Sequence, residues 1–228
     1  LFDTDCMNDP GDRGLNVPEG VAVDLDAGRL FVADSLNNRI LIYAMSPGSA
    51  SVIDGRADFV LGQSDFVHCS PRTTATGLNY PSGLAFDSTG KRLWVADNQN
   101  NRVVAFETAA LASGASATFV LGQPDWVSKN ADGGSSGMYG PRSVAFVPGG
   151  NALYVSDSSN NRVLMFPLST TDAGGAATAV LGQASFATGS ASFGATGFDV
   201  PIGLAHDAVR NLLFVADSNQ NRVLVFVT

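Results

Sequence analysis

The apolar positions of this chain fall in short runs of four to seven residues, each closed by Gly, Pro, Asn or Asp, and the runs return in a fixed order. "RLFVAD", "RLWVAD", "ALYVSD" and "LLFVAD" form one set; "RILIY", "RVVAF", "RVLMF" and "RVLVF" form the next. Such runs, rich in Val, Leu and Phe and bounded by turn residues, predict β-strands, and no stretch of helical length carries an apolar period of 3.6. A Pro-led run precedes each pair: "PEGVAVD", "PSGLAFD", "PRSVAFV" and "PIGLAHD", opening at Pro18, Pro81, Pro141 and Pro201. A fourth run follows, "FVLGQ", "FVLGQ" and "AVLGQ", ending at Gln63, Gln123 and Gln183.

Each unit thus reads as four short antiparallel strands, repeated at spacings of 63, 60 and 60 residues from Asp34 to Asp97, Asp157 and Asp217. One small sheet cannot bury both of its faces. Stacking several around an axis does, which predicts an all-β fold of β-propeller blades. The units run at about 15–63, 78–123, 138–183 and 198–228 within a single domain over 1–228. The fourth unit has no counterpart of the "VLGQ" strand, so its blade is expected to lack the outer strand. Three closures follow: a compact four-bladed ring, an arc of a larger ring, or an open end filled by another chain. An unpaired strand edge is a template for pairing and offers a route to self-association.

Between the second and third strands stands a link of constant form, "DSLNNR", "DNQNNR", "DSSNNR" and "DSNQNR". Asn tolerates left-handed backbone angles and suits a tight connection. The acid ends one strand and the base starts the next, so Asp34 is expected to meet Arg39, and likewise Asp97 and Arg102, Asp157 and Arg162, and Asp217 and Arg222. The guanidinium is a planar fork matched to a carboxylate and nearby carbonyls. A feature present in every unit serves the unit, so these pairs read as structural clamps rather than as ligand sites.

The combination of Pro-x-Gly, "VAVD", "LFVAD" and Asp-Ser-x-Asn-Asn-Arg-Ile/Val with a following aromatic resembles the NHL-repeat family of β-propellers. The likeness covers about half of each of the four units, which are longer than the usual NHL repeat. It implies that the loop entering each innermost strand opens on a central channel where ligands bind. Rings of this kind commonly have six blades. Related catalytic propellers, such as peptidyl amidating lyase and the gluconolactonase-like hydrolases, hold a metal there through His, Asp, Asn or Glu.

Positions that break the repeat then become the candidates for binding. After the repeat Pro come Glu19, Ser82, Arg142 and Ile202; two places before it stand Asn16, Asn79, Tyr139 and Asp199. Glu19, Arg142, Asp199 and Tyr139 are chemically unlike side chains expected at one rim, where they read either as a recognition surface or as drift of exposed loop positions.

Other chemistry is thin. His206 replaces Val23, Phe86 and Phe146 on an innermost strand beside Asp207, and His68 lies beside Cys69; neither has the further ligands of a catalytic zinc site. "GGSSG" at 133–137 matches the nucleophile-elbow pattern but lacks its strand-to-helix setting. The carboxylates of "DTDCMNDPGD", Asp3 to Asp12, are ligands calcium accepts, without the Gly and distal Glu of an EF-hand loop. No cofactor is expected beyond that calcium alternative.

Composition narrows the partners. The net charge is −8, with two lysines and no basic run, so the surface is a poor match for nucleic acid, and RNA-binding NHL modules use basic faces. No run approaches the ~20 apolar residues of a membrane span. The chain does not begin with Met or a signal segment and reads as a processed form, an excised domain or part of a longer chain. Cys6 and Cys69 each lie twelve residues before a repeat Pro; equivalent points on successive units are expected to be too far apart to bond. The expected function is a non-catalytic propeller that binds a protein or glycan in the secreted or envelope compartment. The alternatives are a metal-dependent lyase or lactonase using Glu19, Asp199 or His206, and a structural spacer in a long repeat protein.

Overall fold

The computed structural model describes residues 11–46, 51–149, 152–168 and 175–228. Each unit folds as an antiparallel meander. Blade 1 comprises β1 (Pro18–Asp24), β2 (Arg29–Asp34), β3 (Arg39–Ala44) and β4 (Phe59–Leu61). Blade 2 comprises β5 (Pro81–Asp87), β6 (Arg92–Asp97), β7 (Arg102–Glu107) and β8 (Phe119–Leu121). Blade 3 comprises β9 (Pro141–Val147), β10 (Ala152–Asp157), β11 (Arg162–Pro167) and β12 (Ala179–Leu181). Blade 4 comprises β13 (Pro201–Asp207), β14 (Leu212–Asp217) and β15 (Arg222–Val227), and among the described residues its sheet has three strands. The four sheets are arranged as the blades of a β-propeller, with β1, β5, β9 and β13 innermost.

The alternation of side chains along each strand sends one set toward the preceding blade and the other toward the next. Phe31, Ile40, Ile42 and Leu61 of blade 1 pack on Leu84, Leu93, Val95, Val104 and Phe106 of blade 2, and Phe31 stacks on Phe86 at 5.9 Å. Trp94, Val103, Ala105 and Leu121 then meet Val144, Leu153, Val155, Leu164 and Phe166. Val163 and Ala145 meet Leu213, Val215 and Phe198 in the last interface. The core is therefore a series of inter-blade layers, and each blade is stabilised by the neighbours that cover it.

The Pro-x-Gly signature has its explanation where the innermost strands crowd together. A Cβ on Gly20 would overlap the carbonyl oxygen of Ser82, and one on Gly83 would lie 2.6 Å from the carbonyl oxygen of Arg142. Blade 3 carries Ser143 instead, whose hydroxyl accepts a hydrogen bond from the Leu204 N–H at 3.2 Å.

The link between second and third strands is a 3-10 turn closed by an Asn in the left-handed conformation: Asn38, Asn101, Asn161 and Asn221, with φ of 51–54°. These residues do more than tolerate the turn. The Asn38 Oδ1 accepts the Tyr80 N–H of the next blade at 2.8 Å, while its Nδ2 donates to the Cys69 carbonyl. Asn101 holds Gly140 and Lys129 in the same way, and Asn161 holds Val200 and Gly189. Asn101→Ala removes both bonds and leaves a side chain with a Cβ but no local hydrogen bond in a left-handed site. Urea unfolding is expected to show a loss of about 2 kcal/mol, with Asn101→Gly losing less because it relieves only the backbone term.

The "VLGQ" strands are shorter than the run suggests. Each ends before its Gly, which turns at φ of 85–89° so that the Gln side chain folds back over the hairpin. Gln63 Nε2 donates to the carbonyls of Asn38 and Ser70, and Gln123 and Gln183 repeat the arrangement.

The expectation for the cysteines is corrected. Cys69 is disulfide-bonded, and the sequence holds one other cysteine, Cys6, outside the described residues. The physical reason lies with Arg39, whose guanidinium takes carbonyls from Gly11 and Gly14 on one side and from Phe66 on the other. Loops at equivalent places in successive units therefore meet at one side chain, within the reach that the spacing argument had denied them. The acidic segment considered for calcium, Asp3 to Asp12, also lies outside the described residues except for its last two positions. There Asp12 pairs with Arg56 at 2.9 Å.

Candidate functional site

The clamps are buried. Arg39, Arg102 and Arg162 are 0% exposed, as are Asp34, Asp97 and Asp157, with Nε to Oδ2 distances of 2.6–2.7 Å. In each, the second carboxylate oxygen accepts the backbone N–H of the residue two before the repeat Pro: Asn16, Asn79, Tyr139 and, in blade 4, Asp199. Asn37, Asn100 and Asn160 add a side-chain amide in blades 1 to 3. Burial pushes the Asp97 and Asp157 carboxyls above their ordinary range, against the opposing pull of Arg102, Arg162 and these hydrogen bonds. The rest of each guanidinium is occupied by loop carbonyls. Arg102 takes Trp126, Thr74 and Gly77, and Arg162 takes Gly133, Gly134, Gly137 and Phe186. The "GGSSG" stretch thus supplies carbonyls to a clamp.

In blades 1 to 3 all three guanidinium nitrogens and both carboxylate oxygens are engaged in holding the blade, so these clamps offer little to a ligand. The irregular positions offer more. The starts of the four innermost strands surround a cavity of about 460 Å³ on the axis, lined by Glu19, Ser82, Arg142 and Ile202 with the Gly or Ser and the aliphatic residue that follow each. One geometric position thus carries an acid, a hydroxyl, a base and an apolar side chain. Ser82 is turned inward and donates to the Arg142 carbonyl at 2.9 Å, tying blade 2 to blade 3. Glu19 and Arg142 are exposed at the mouth. Among the described residues the Arg142 guanidinium has no hydrogen-bond partner.

Tyr80 completes this group and was not legible in the repeat. Its phenol donates to Glu19 Oε1 at 2.8 Å, a contact between blades 2 and 1. That hydrogen bond, with burial and the Glu19 charge, raises the phenol above its ordinary range, and Arg142 opposes the rise. Tyr80 is the residue before the repeat Pro, where Val17, Gly140 and Val200 stand in the other units. All four have left-handed φ of 53–61°. That conformation is rare for a β-branched residue such as Val, and costs of order 1–3 kcal/mol where the surroundings enforce it. The residue two places further on, just past the repeat Pro, lines the channel mouth in each unit.

Of the other candidates, Tyr139 is exposed beside the rim but does not line the cavity. Asp199 accepts a hydrogen bond from Asn219 at 3.1 Å, and Asn16 and Asn79 contribute their backbone to the clamps. His206 lies toward the far end of β13. Its Nε2 contacts the Thr228 hydroxyl at 3.1 Å, and burial lowers its pKa while Asp207 opposes the shift. His68 pairs with Asp65 at 2.7 Å on the outer loop. Among the described residues, no group of three or more His, Cys, Asp or Glu is placed to share a metal ion. No described helix is long and apolar enough to cross a membrane.

Comparison with known proteins agrees with this architecture. The NHL repeat family matches residues 15–43 and 78–106. NHL repeat-containing protein 2 of Bos taurus is 32% identical over 157 residues, 65% of this chain and 21% of that protein. The chain therefore spans about a fifth of the length of the curated relative it matches. Among solved structures, a nidogen/laminin complex superposes with a TM-score of 0.60 at 18% identity, covering 94% of this chain and 61% of the other. A protein provisionally described as a 6-phosphogluconolactonase from Bacteroides uniformis gives 0.58 at 16% identity, covering 92% and 50%. At these identities the likeness establishes the fold.

Proposed function

We propose that this chain, an NHL-repeat β-propeller, binds a protein partner at the mouth of its central channel. The observation that carries the proposal is the inequality of Glu19, Ser82, Arg142 and Ile202 at one structural position of otherwise closely similar strands. A position serving only the blade would repeat, as the clamps do. The exposed guanidinium of Arg142 recognises a carboxylate. The Glu19–Tyr80 pair accepts or donates a hydrogen bond to a backbone amide, and Ile202 gives apolar contact. The nidogen/laminin likeness supports an interaction role for the fold, and the disulfide at Cys69 supports an oxidising compartment such as the secreted or envelope space.

A peptide-display selection against the purified chain, run beside a glycan array, tests this. Selected peptides are expected to carry an acidic residue. Isothermal titration should show at least a tenfold loss of affinity for Arg142→Ala and for Glu19→Ala, about 1.4 kcal/mol each. Peptides that bind the double variant as tightly as the parent chain, or binding confined to the glycan array, would overturn it.

A further inference from the structure

The residue before the repeat Pro of one blade stands toward the mouth residue of the blade before it. Tyr80 shows this directly, because its phenol reaches Glu19 at 2.8 Å. The backbone is the same at the next two joints. The N–H groups of Tyr80, Gly140 and Val200 each donate to the hairpin Asn of the preceding blade at 2.8–2.9 Å, and their φ angles are 55°, 61° and 57°. Gly140 thus belongs with Ser82, and Val200 with Arg142. The mouth residues are equivalent as well. Arg142 and Ile202 each drop out of the strand ladder, whose register passes from Ser143 to Pro141 and from Gly203 to Pro201, and such a bulge re-aims the side chain it carries.

A proline holds the residue before it toward extended backbone, and a left-handed φ is an outlier for a β-branched side chain. Glycine takes that conformation without steric cost, as Gly140 does. Space does not dictate the choice there, since a Cβ on Gly140 would come closer than 3.4 Å only to the Oγ of exposed Ser159, the free end of a side chain. The choice follows the mouth residue. Glu19 and Arg142 are exposed, and the residues matched to them, Tyr80 and Val200, carry strained side chains; Ser82 is turned inward, and Gly140 carries none. Packing gives no reason for the strain. Tyr80 and Val200 are half-buried and belong to none of the apolar clusters that join the blades.

We infer, resting on the peptide-binding reading, that Val200 is a specificity-determining residue of the mouth. Together with Ile202 it forms an apolar seat beside Arg142, so the carboxylate taken there is one flanked in its own chain by an aliphatic side chain. Val200 covers the stem of the arginine and limits the competition of water for the bond between guanidinium and carboxylate. The unfavourable backbone at Val200 is kept because glycine would open that wall of the seat.

The test uses capped nonapeptides of Gly and Ser with one central Glu, whose two neighbours are either Leu or Ser, read by fluorescence anisotropy. The parent chain is expected to bind the Leu-flanked peptide at least about fivefold more tightly, and Arg142→Ala to lose both. Val200→Thr keeps the branched shape but not the apolar surface, and Val200→Gly removes the side chain. Each is expected to erase the preference for Leu while leaving affinity for the Ser-flanked peptide within about twofold. The urea midpoint of Val200→Gly is expected to be no lower than the parent's, because relief of the left-handed backbone offsets the greater freedom of the unfolded chain. A parent that binds both peptides equally, a preference that survives Val200→Gly, or a lowered midpoint would each overturn the role of Val200 and leave peptide binding at Arg142 standing. Binding that is absent, or indifferent to Arg142→Ala, would overturn both.

Discussion

Arg102→Ala is expected to lower the unfolding free energy by about 3–5 kcal/mol, because it strands the buried carboxylate of Asp97 and frees the carbonyls of Trp126, Thr74 and Gly77 at once. Arg102→Lys recovers only part of this, since an ammonium concentrates its donors at one point and cannot fork between a carboxylate and three carbonyls. The same replacement in blade 4 acts on a looser joint. Arg222 is partly exposed and holds two loop carbonyls rather than three, so Arg222→Ala is expected to cost about 1–2 kcal/mol. The midpoints of urea unfolding curves measure both changes. Equal losses at Arg102 and Arg222 would show that neither the third loop carbonyl nor the deeper burial of Arg102 contributes.

The second large effect is expected at the channel wall. Gly83→Val places a branched side chain where a Cβ already meets the Arg142 carbonyl oxygen and the Ser143 Cα at 2.6 Å, both of them backbone atoms of the next blade. Backbone cannot swing aside as a side-chain end can, so blades 2 and 3 must separate or β5 must twist. The expected loss is about 2–3 kcal/mol, with weakened peptide binding because Arg142 moves with its strand. Gly203→Ala is the control. A Cβ there meets only the Ala216 methyl at 3.4 Å, and stability should change by no more than about 0.5 kcal/mol. A Gly83→Val protein as stable as the parent would mean that the innermost strands have slack the structure does not show.

Much of the fold was legible because it is written four times. Strand positions follow from apolar runs and turn residues, and the Asp–Arg pairs follow from their constant separation of five residues across a hairpin. What escaped is whatever depends on a backbone group of a neighbouring unit. Phe66, Trp126 and Phe186 receive a guanidinium through their carbonyls, and a carbonyl leaves no mark on residue type. The Asn that ties one blade to the next was visible, but its spacing explains only the turn; its second role needs the adjacent blade in place. The cysteine expectation failed for a related reason. Distance along the repeat was taken for distance in space, whereas Arg39 draws two successive loops together. At the rim, departures from the repeat located Glu19 and Arg142, because a change of charge stands out against near-identical neighbours. Tyr80 was missed because Val, Gly and Val occupy its place elsewhere, and variation among those reads as indifference.

The hairpin Asn has a consequence for how such a molecule changes size. Among the described residues each of the three joints between successive blades is made by a short-range handshake of the same kind. Duplication or deletion of a whole unit therefore leaves every surviving joint with a compatible partner, while a shift within the Asp-to-Arg hairpin or at the repeat Pro breaks the joint it belongs to. Architectures held in this manner vary by the copy number of entire modules, and the lengths of their loops drift only where no guanidinium is waiting for a carbonyl.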